Sequence, residues 1–204
     1  MKGSRRLQTS RLVLRHWTGD DLDPMAAINA DPEVMRWIRD GRPLDRDGTA
    51  ERLATWRKHW DEHGFGLFAL TLRDTGELAG FAGLAMPTFL PEVLPTPEIG
   101  WRLARRHWGR GLATEAARAV LAHARDDLGM RRLVSIHQVG NEASARVMIK
   151  IGMRLDRETT DPVSGTPLRV YAIDLAGRPA DRGRRFTASA TGRRPVSSSN
   201  GESW

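Results

Sequence analysis

The sequence predicts a mixed α/β fold in which helices flank a sheet, and three observations carry that prediction. Strand-like and helical patterns alternate along residues 7–175. Short polar turns join neighbouring strand-like runs, as Arg73-Asp74-Thr75-Gly76-Glu77 does. A glycine-rich turn, Arg106-His107-Trp108-Gly109-Arg110-Gly111, lies between a strand and the helix opened by Leu112-Ala113-Thr114-Glu115-Ala116. With 204 residues the chain is long enough for one domain with a sizeable core, and no second domain is needed.

Residues 7–17, with Leu12-Val13-Leu14 between arginines, read as the first strand. Asp20-Asp21 precede a short helix over 22–30. Asp31-Pro32-Glu33 opens another, with aspartate as N-cap and proline at the first helical position, and Gly41-Arg42-Pro43 stops it. A longer helix over 47–63 carries Leu53, Trp56 and Trp60 on one side and ends at Gly64. Strands over 65–72 and 78–85 form a hairpin. Residues 87–97, with four prolines and no period, read as a loop. A strand over 97–104 leads through the glycine-rich turn into a helix over 112–128. A strand over 132–139, a helix over 141–151 closed by Gly152, and a strand pair over 153–157 and 168–175 complete the order β-α-α-α-β-β-β-α-β-α-β-β. Residues 177–204, rich in Arg and Ser and poor in aliphatics, read as a basic, flexible tail on a domain covering 1–176.

The net charge is +7, but its distribution argues against a dedicated nucleic-acid surface. Residues 1–15 hold five basic and no acidic groups, and residues 177–204 hold six arginines against Asp181 and Glu202; residues 16–176 are therefore slightly acidic. The absence of cysteine excludes disulfides, thiolate metal sites and a cysteine nucleophile, and suits a reducing compartment. The basic start is not followed by a long apolar stretch, and none of membrane-spanning length occurs later, so the chain reads as soluble and cytoplasmic.

The glycine-rich turn can hold an anion. Glycine at positions 109 and 111 lets successive backbone N–H groups converge, and the helix that follows adds its unpaired first-turn donors and the positive end of its dipole. A dinucleotide fingerprint fails, because Thr114 stands where a third small residue belongs and the region some 20 residues on, Arg131-Arg132-Leu133, is basic rather than acidic. A Walker loop fails too, since Gly-Lys-Ser/Thr is absent.

Two motifs in order narrow the choice. Arg106-x-x-Gly109-x-Gly111 follows a Glu98-Ile99-Gly100-Trp101 strand, and Asn141-x-x-Ser144-x-x-Val147-x-x-Lys150-x-Gly152-Met153 follows the next strand. Over roughly residues 10–175 this resembles the GCN5-related N-acetyltransferase (GNAT) superfamily, and within it the RimJ/RimL-type branch that acetylates ribosomal-protein N-termini. The resemblance implies a mostly antiparallel sheet splayed between its fourth and fifth strands, with acetyl-CoA as donor. Its pyrophosphate is expected on the backbone of Gly109, Arg110, Gly111, Leu112 and Ala113, with the Arg106 and Arg110 side chains nearby. Pantetheine is expected to pair in the wedge with free backbone groups near Leu103, where an N–H would polarise the thioester carbonyl. No metal and no covalent enzyme intermediate is implied.

Direct attack needs a neutral amine and a proton acceptor. Glu98 matches a glutamate used for this purpose in parts of the family; as read from the residues it is also a solvated or structural strand-end acid, and Asp161 is the reserve base. Many members place a tyrosine one position after Val147 to protonate the thiolate; here that residue is Met148, and the only tyrosine is Tyr171. In the resembled branch the serine at Ser144 assists, though it also reads as a small residue where the cofactor passes close. Asn141 reads both as helix cap and as a CoA contact.

The resemblance implies a protein N-terminal amine as first acceptor and a small-molecule amine (antibiotic, polyamine or amino-acid derivative) as second. A non-catalytic acyl-CoA-binding module is the reading from another class, and a homodimer stays open. Residues 20–47 and 87–97 border the acceptor side, but their acids and arginines interleave, so charge does not choose. The remaining features read more readily as structure. His59 and His63 are four apart without a correctly placed glutamate or third ligand. Trp37, Trp56 and Trp60 read as core, with one able to floor the amine pocket. His107 and Trp108 either pack on adenine or anchor the turn, and Arg131-Arg132 are either solvated or bound to a phosphate.

Overall fold

The computed structural model describes residues 6–175; the expected basic tail lies outside the described residues. Eight strands form one sheet in the order β1-β2-β3-β4-β5-β6-β8-β7. They are β1 (Leu7–Gln8), β2 (Leu12–Arg15), β3 (Leu67–Leu72), β4 (Leu78–Ala85), β5 (Glu98–Leu103), β6 (Arg132–Gln138), β7 (Arg154–Thr160) and β8 (Pro167–Asp174). The helices are α1 (Leu22–Asn29), α2 (Pro32–Met35), α3 (Arg46–His63), α4 (Leu112–Asp126) and α5 (Glu142–Lys150).

The expected first strand is two. β1 folds back on β2 with Leu7 opposite Leu14, because Thr9 turns the chain: its backbone N–H donates to the Leu12 carbonyl and its hydroxyl accepts the Leu12 N–H. The other elements follow the expected order, with ends shifted by a few residues. Local chemistry explains the ends. The Asp31 side chain accepts from the Glu33 N–H at α2, Asp45 accepts from the Gly48 N–H at α3, and Gly64 closes α3 at φ 73°. The chain leaves α2 at Met35, well before Gly41, and runs on through turns.

Strand alternation sends the sheet's side chains into three clusters. On one face Leu12, Leu14, Phe68, Leu70, Ile99 and Leu103 meet Leu112, Ala116 and Val120 of α4 and Met148 of α5. On the other, Ala69, Phe81 and Leu67 meet Met25 and Ile28 of α1 and Leu53 and Trp56 of α3. The proline-rich loop covers the rest of that second face: Phe89, Leu90 and Val93 pack on Val134, Leu168 and Val170. Each fully buried Leu or Phe contributes roughly 1.5–3 kcal/mol. Every strand pair is antiparallel except β5 with β6, which run parallel and share a single bridge, Glu98 with Val134. Among the described residues no helix is long and apolar enough to cross a membrane.

Candidate active site

The site begins where β5 and β6 part. Val134 N–H donates to the Pro97 carbonyl at 3.0 Å. In a continuing parallel ladder the next inward N–H of β6, that of Ile136, would go to a β5 carbonyl; here it donates to Glu98 Oε1 at 3.2 Å. The carboxylate thus ends the ladder. Beyond it β5 keeps its pairing with β4 and leaves its other edge facing a wedge. Glu98 is 3 % exposed, which removes the reading as a solvated acid.

A cavity of about 90 Å³ occupies the wedge, and Glu98, Asn141, Ser144 and Asp161 all line it. Asn141 caps α5 by accepting from the Ser144 N–H at 3.2 Å, so the cap orients the first turn that carries the serine. Asp161 Oδ1 accepts from the Val163 and Ser164 N–H groups, both at 2.8 Å, which fixes it as the organiser of the β7–β8 turn. Met148, at the place a family tyrosine takes, is fully buried in the core below. Trp37 lines the cavity while Trp56 and Trp60 are buried in the core, so the three tryptophans divide.

The glycine-rich turn lies at the far end of β5. Gly109 and Gly111 have φ of 72° and 77°, and Gly111 is the N-cap of α4. A Cβ at Gly109 would meet nothing within 4 Å, so the requirement there is conformational rather than spatial. No side chain caps α4, in contrast to α2, α3 and α5. Its first-turn N–H groups, those of Leu112 and Ala113 among them, therefore keep the positive dipole end open. Beside them a surface hollow of about 640 Å³ is lined by Gly111, Thr114, Arg11, Arg118 and Lys150.

The basic residues of the turn are arranged differently from the expectation. Arg106 Nε donates to Glu77 Oε1 at 2.6 Å, and the side chain lines a hollow with Ala27, Asp31 and Val34 near α1 and α2. The Glu77 carboxylate, whose pKa is lowered chiefly by Arg106, draws it away from the α4 hollow. Arg110 Nη1 lies 3.2 Å from His107 Nδ1, and its carbonyl accepts from Arg11 at 2.8 Å. His107 is buried against Glu77, and Trp108 Nε1 donates to the Leu103 carbonyl at 2.9 Å, so both residues anchor the turn. The Leu103 carbonyl is thereby occupied, whereas the expected polarising group is a backbone N–H near it.

Glu115, in the first turn of α4, accepts from Thr9 Oγ1 at 2.6 Å, from Ser10 Oγ and Arg11 N–H at 2.9 Å, and from Arg11 Nε at 2.7 Å. Desolvation opposes its charge, but these donors outweigh it and hold the carboxyl down at about 2. Arg132 pairs with Asp156 and Asp174, which settles one of the two arginines as structural. His59 is also structural: Nδ1 lies 2.9 Å from the Phe65 carbonyl and Nε2 accepts the Met86 N–H at 3.2 Å.

Three residues escaped the sequence reading. His137 lines the cavity with its Nε2 buried and unpartnered, its pKa lowered by desolvation. Gln138 donates to the Arg39 carbonyl at 2.7 Å and so ties β6 to the segment after α2. Arg102, in mid-strand, is buried. For two of them the available signal is a polar residue interrupting an apolar strand pattern, at Arg102 and at His137.

With this geometry in place, the family model for the acetyltransferase (GNAT) domain matches residues 11–154. The chain belongs to the GNAT family. It is 32 % identical over 174 residues to the uncharacterized protein YkkB of Bacillus subtilis (strain 168), covering 84 % of this chain and 96 % of that one. Among solved structures, the acetyltransferase from Agrobacterium tumefaciens str. C58 is 30 % identical with a TM-score of 0.69, over 84 % of this chain and 96 % of that chain. RimL, the ribosomal L7/L12 α-N-protein acetyltransferase solved in complex with coenzyme A, shares the fold at 15 % identity and a TM-score of 0.70, over 84 % and 98 % of the two chains. This GNAT member is an acetyltransferase, and acetyl-CoA is the donor its family uses.

Proposed function

We propose that this GNAT acetyltransferase moves the acetyl group of acetyl-CoA to a primary amine held in the wedge between β5 and β6, with Glu98 as base and Ser144 assisting the thiolate. The observation that carries the reading is one cavity lined by Glu98 from β5, Asn141 before α5 and Ser144 within it, at the point where the parallel ladder ends.

The residues present fit the donor. An uncapped α4, two left-handed glycines before it and an open β5 edge are what a pyrophosphate and an extended pantetheine require. The N–H groups of Gly109, Arg110, Gly111, Leu112 and Ala113 would hold the phosphates, with Arg11, Arg118 and Lys150 supplying charge in place of Arg106. The Leu103 N–H and the Asn141 side chain remain as contacts along the arm. When bound, acetyl-CoA supplies an acetyl group activated as a thioester.

Glu98 takes the amine's proton, and its buried position keeps water from competing for that role. The Ser144 hydroxyl donates to the departing sulfur. The walled cavity favours a small amine or the first residue of a peptide over a side chain on a folded surface. Thiol release from acetyl-CoA, measured with a panel of peptides and small amines, tests the reading. At least one amine class should release CoA well above hydrolysis; binding of acetyl-CoA with no productive acceptor would sink it.

A further inference from the structure

A second cavity, of about 280 Å³, adjoins the wedge on the side of α2 and α3; the two share Ile38 and Arg39. Met35, Leu44 and Trp56 give it apolar walls, and Arg39, Arg42 and Arg52 line it together with Asp40. Arg102 of β5 also opens into it. Its residue is 6 % exposed, and among the described residues it makes no ion pair. Desolvation is the cause that pulls its pKa down to about 9. A buried charge without a counter-ion is unfavourable, so its retention calls for a partner.

The guanidinium is held in a fixed pose. Nη1 donates to Asn29 Oδ1 at 2.7 Å, Asn29 Nδ2 donates to Thr49 Oγ1 at 3.1 Å, and the Phe81 ring lies 5.2 Å from the guanidinium carbon. Asn29 and Thr49 are both fully buried, so this chain of contacts orients Arg102 rather than neutralising it. Nε is buried with no hydrogen-bond partner. Nη2 makes no hydrogen bond among the described residues and is not enclosed as Nε is, so it is the nitrogen left to meet a carboxylate oxygen. Gly100, which lines the Glu98 cavity, is two residues back on the same side of the strand, roughly 7 Å away at the rise of an extended chain. Glu98 and Arg102 therefore lie on one face of β5.

We propose that Arg102 binds a carboxylate carried by the acceptor amine itself, so that the acceptor class is an amine with an apolar body and a carboxylate, as in free apolar amino acids. The inference rests on the acetyltransferase reading and narrows it. Arg39, Arg42 and Arg52 raise the local concentration of such anions, and the apolar walls take the body.

The test compares kcat/KM for leucine and phenylalanine with that for leucinamide and phenylalaninamide, at saturating acetyl-CoA. The free acids should be preferred at least tenfold, and Arg102→Gln should bring the ratio near one while acetyl-CoA affinity stays unchanged. Arg39→Ala and Arg52→Ala, which do not disturb the buried network, should each raise KM for the acids about threefold with kcat unchanged. These two variants and the wild-type preference decide the matter even if the Arg102 variant does not fold. Ligand-observed NMR with N-acetylleucine and N-acetylleucinamide reads the site without turnover: only the acid should bind, and only with Arg102 present. Equal kcat/KM for acid and amide in the wild type, or an unchanged preference in Arg102→Gln, overturns the proposal while leaving acetyl transfer standing. Arg102-dependent binding of N-acetylleucine without any acetylated amine supports the carboxylate site and instead removes the catalytic reading. Peptides with Glu or Gln at the second residue form a further arm; a preference for Glu supports the carboxylate and assigns it to a peptide. Preference for aminoethylphosphonate over every carboxylate overturns the assignment.

Discussion

The Glu98 carboxylate accepts the Ile136 N–H at 3.2 Å, two residues beyond the single bridge that joins β5 to β6. A group read both as a base and as a structural strand-end acid therefore marks where the sheet opens. Glu98→Gln separates the two duties, because the amide oxygen still accepts the Ile136 N–H. The variant should keep its melting temperature and acetyl-CoA affinity while kcat falls about 100-fold or more and loses its rise with pH. Steady-state kinetics across pH, beside calorimetric binding, checks this; unchanged turnover would remove Glu98 as base.

Gly111→Val places a β-branched residue at φ 77°, where the strain is roughly 1–2 kcal/mol. The space around position 111 is otherwise open, with only Arg11 Nη2 at 3.6 Å from an added Cβ. The damage should therefore fall on the mouth of α4. We expect acetyl-CoA Kd to rise at least tenfold with a modest loss of Tm, read by isothermal titration and thermal melting. Normal affinity would contradict the assignment of the phosphates to this turn.

Gly83 offers a contrast, since a Cβ there would lie 2.2 Å from the Gly66 carbonyl oxygen and 2.6 Å from Leu67 Cα. The obstruction is backbone, which cannot rotate away. Gly83→Ala should therefore force β3 from β4 and cost about 3 kcal/mol, visible as a lowered urea midpoint. A midpoint within error of the wild type would show that the strands slide apart freely.

Glu115 sets an acid limit on stability. Its carboxyl is held at about 2 in the fold against an ordinary 4.5, so its contribution is complete above pH 4.5 and is lost as pH falls toward 2. Glu115→Gln should be less stable than the wild type at pH 7, and the gap should close as pH drops through that window. Urea unfolding at a series of pH values measures it. A gap that stays constant from pH 5 to pH 3 would mean the carboxylate's charge does not matter.

Much of the fold was legible because its punctuation is local. Asp31, Gly64 and Asn141 act through bonds or φ angles within a few residues, and each sits where the sequence places it. The first strand divides at the Thr9–Leu12 turn, and the clasp that holds this turn, Thr9 and Ser10 on Glu115, comes from more than a hundred residues away, which no window of sequence reveals. Arg106 illustrates the same limit at the site. A long basic side chain chooses among partners brought close only by folding, and Glu77 from the β3–β4 turn claims it. Glu98, Asn141 and Ser144 were legible as a motif, whereas the depth of Glu98 and the burial of Arg102 depend on what covers β5.

The clasp of Thr9, Ser10 and Arg11 on Glu115 also has a history during synthesis. The hairpin that carries those donors is synthesised before its acceptor, which follows Arg11 by 104 residues, after α1 to α3 and three further strands. The hairpin turn can thus be fixed only once Glu115 has been made, and it is fixed at the mouth of α4. A chain without residues 6–11 would still encode every described helix and the wedge between β5 and β6, but α4 would start without the latch that closes on it.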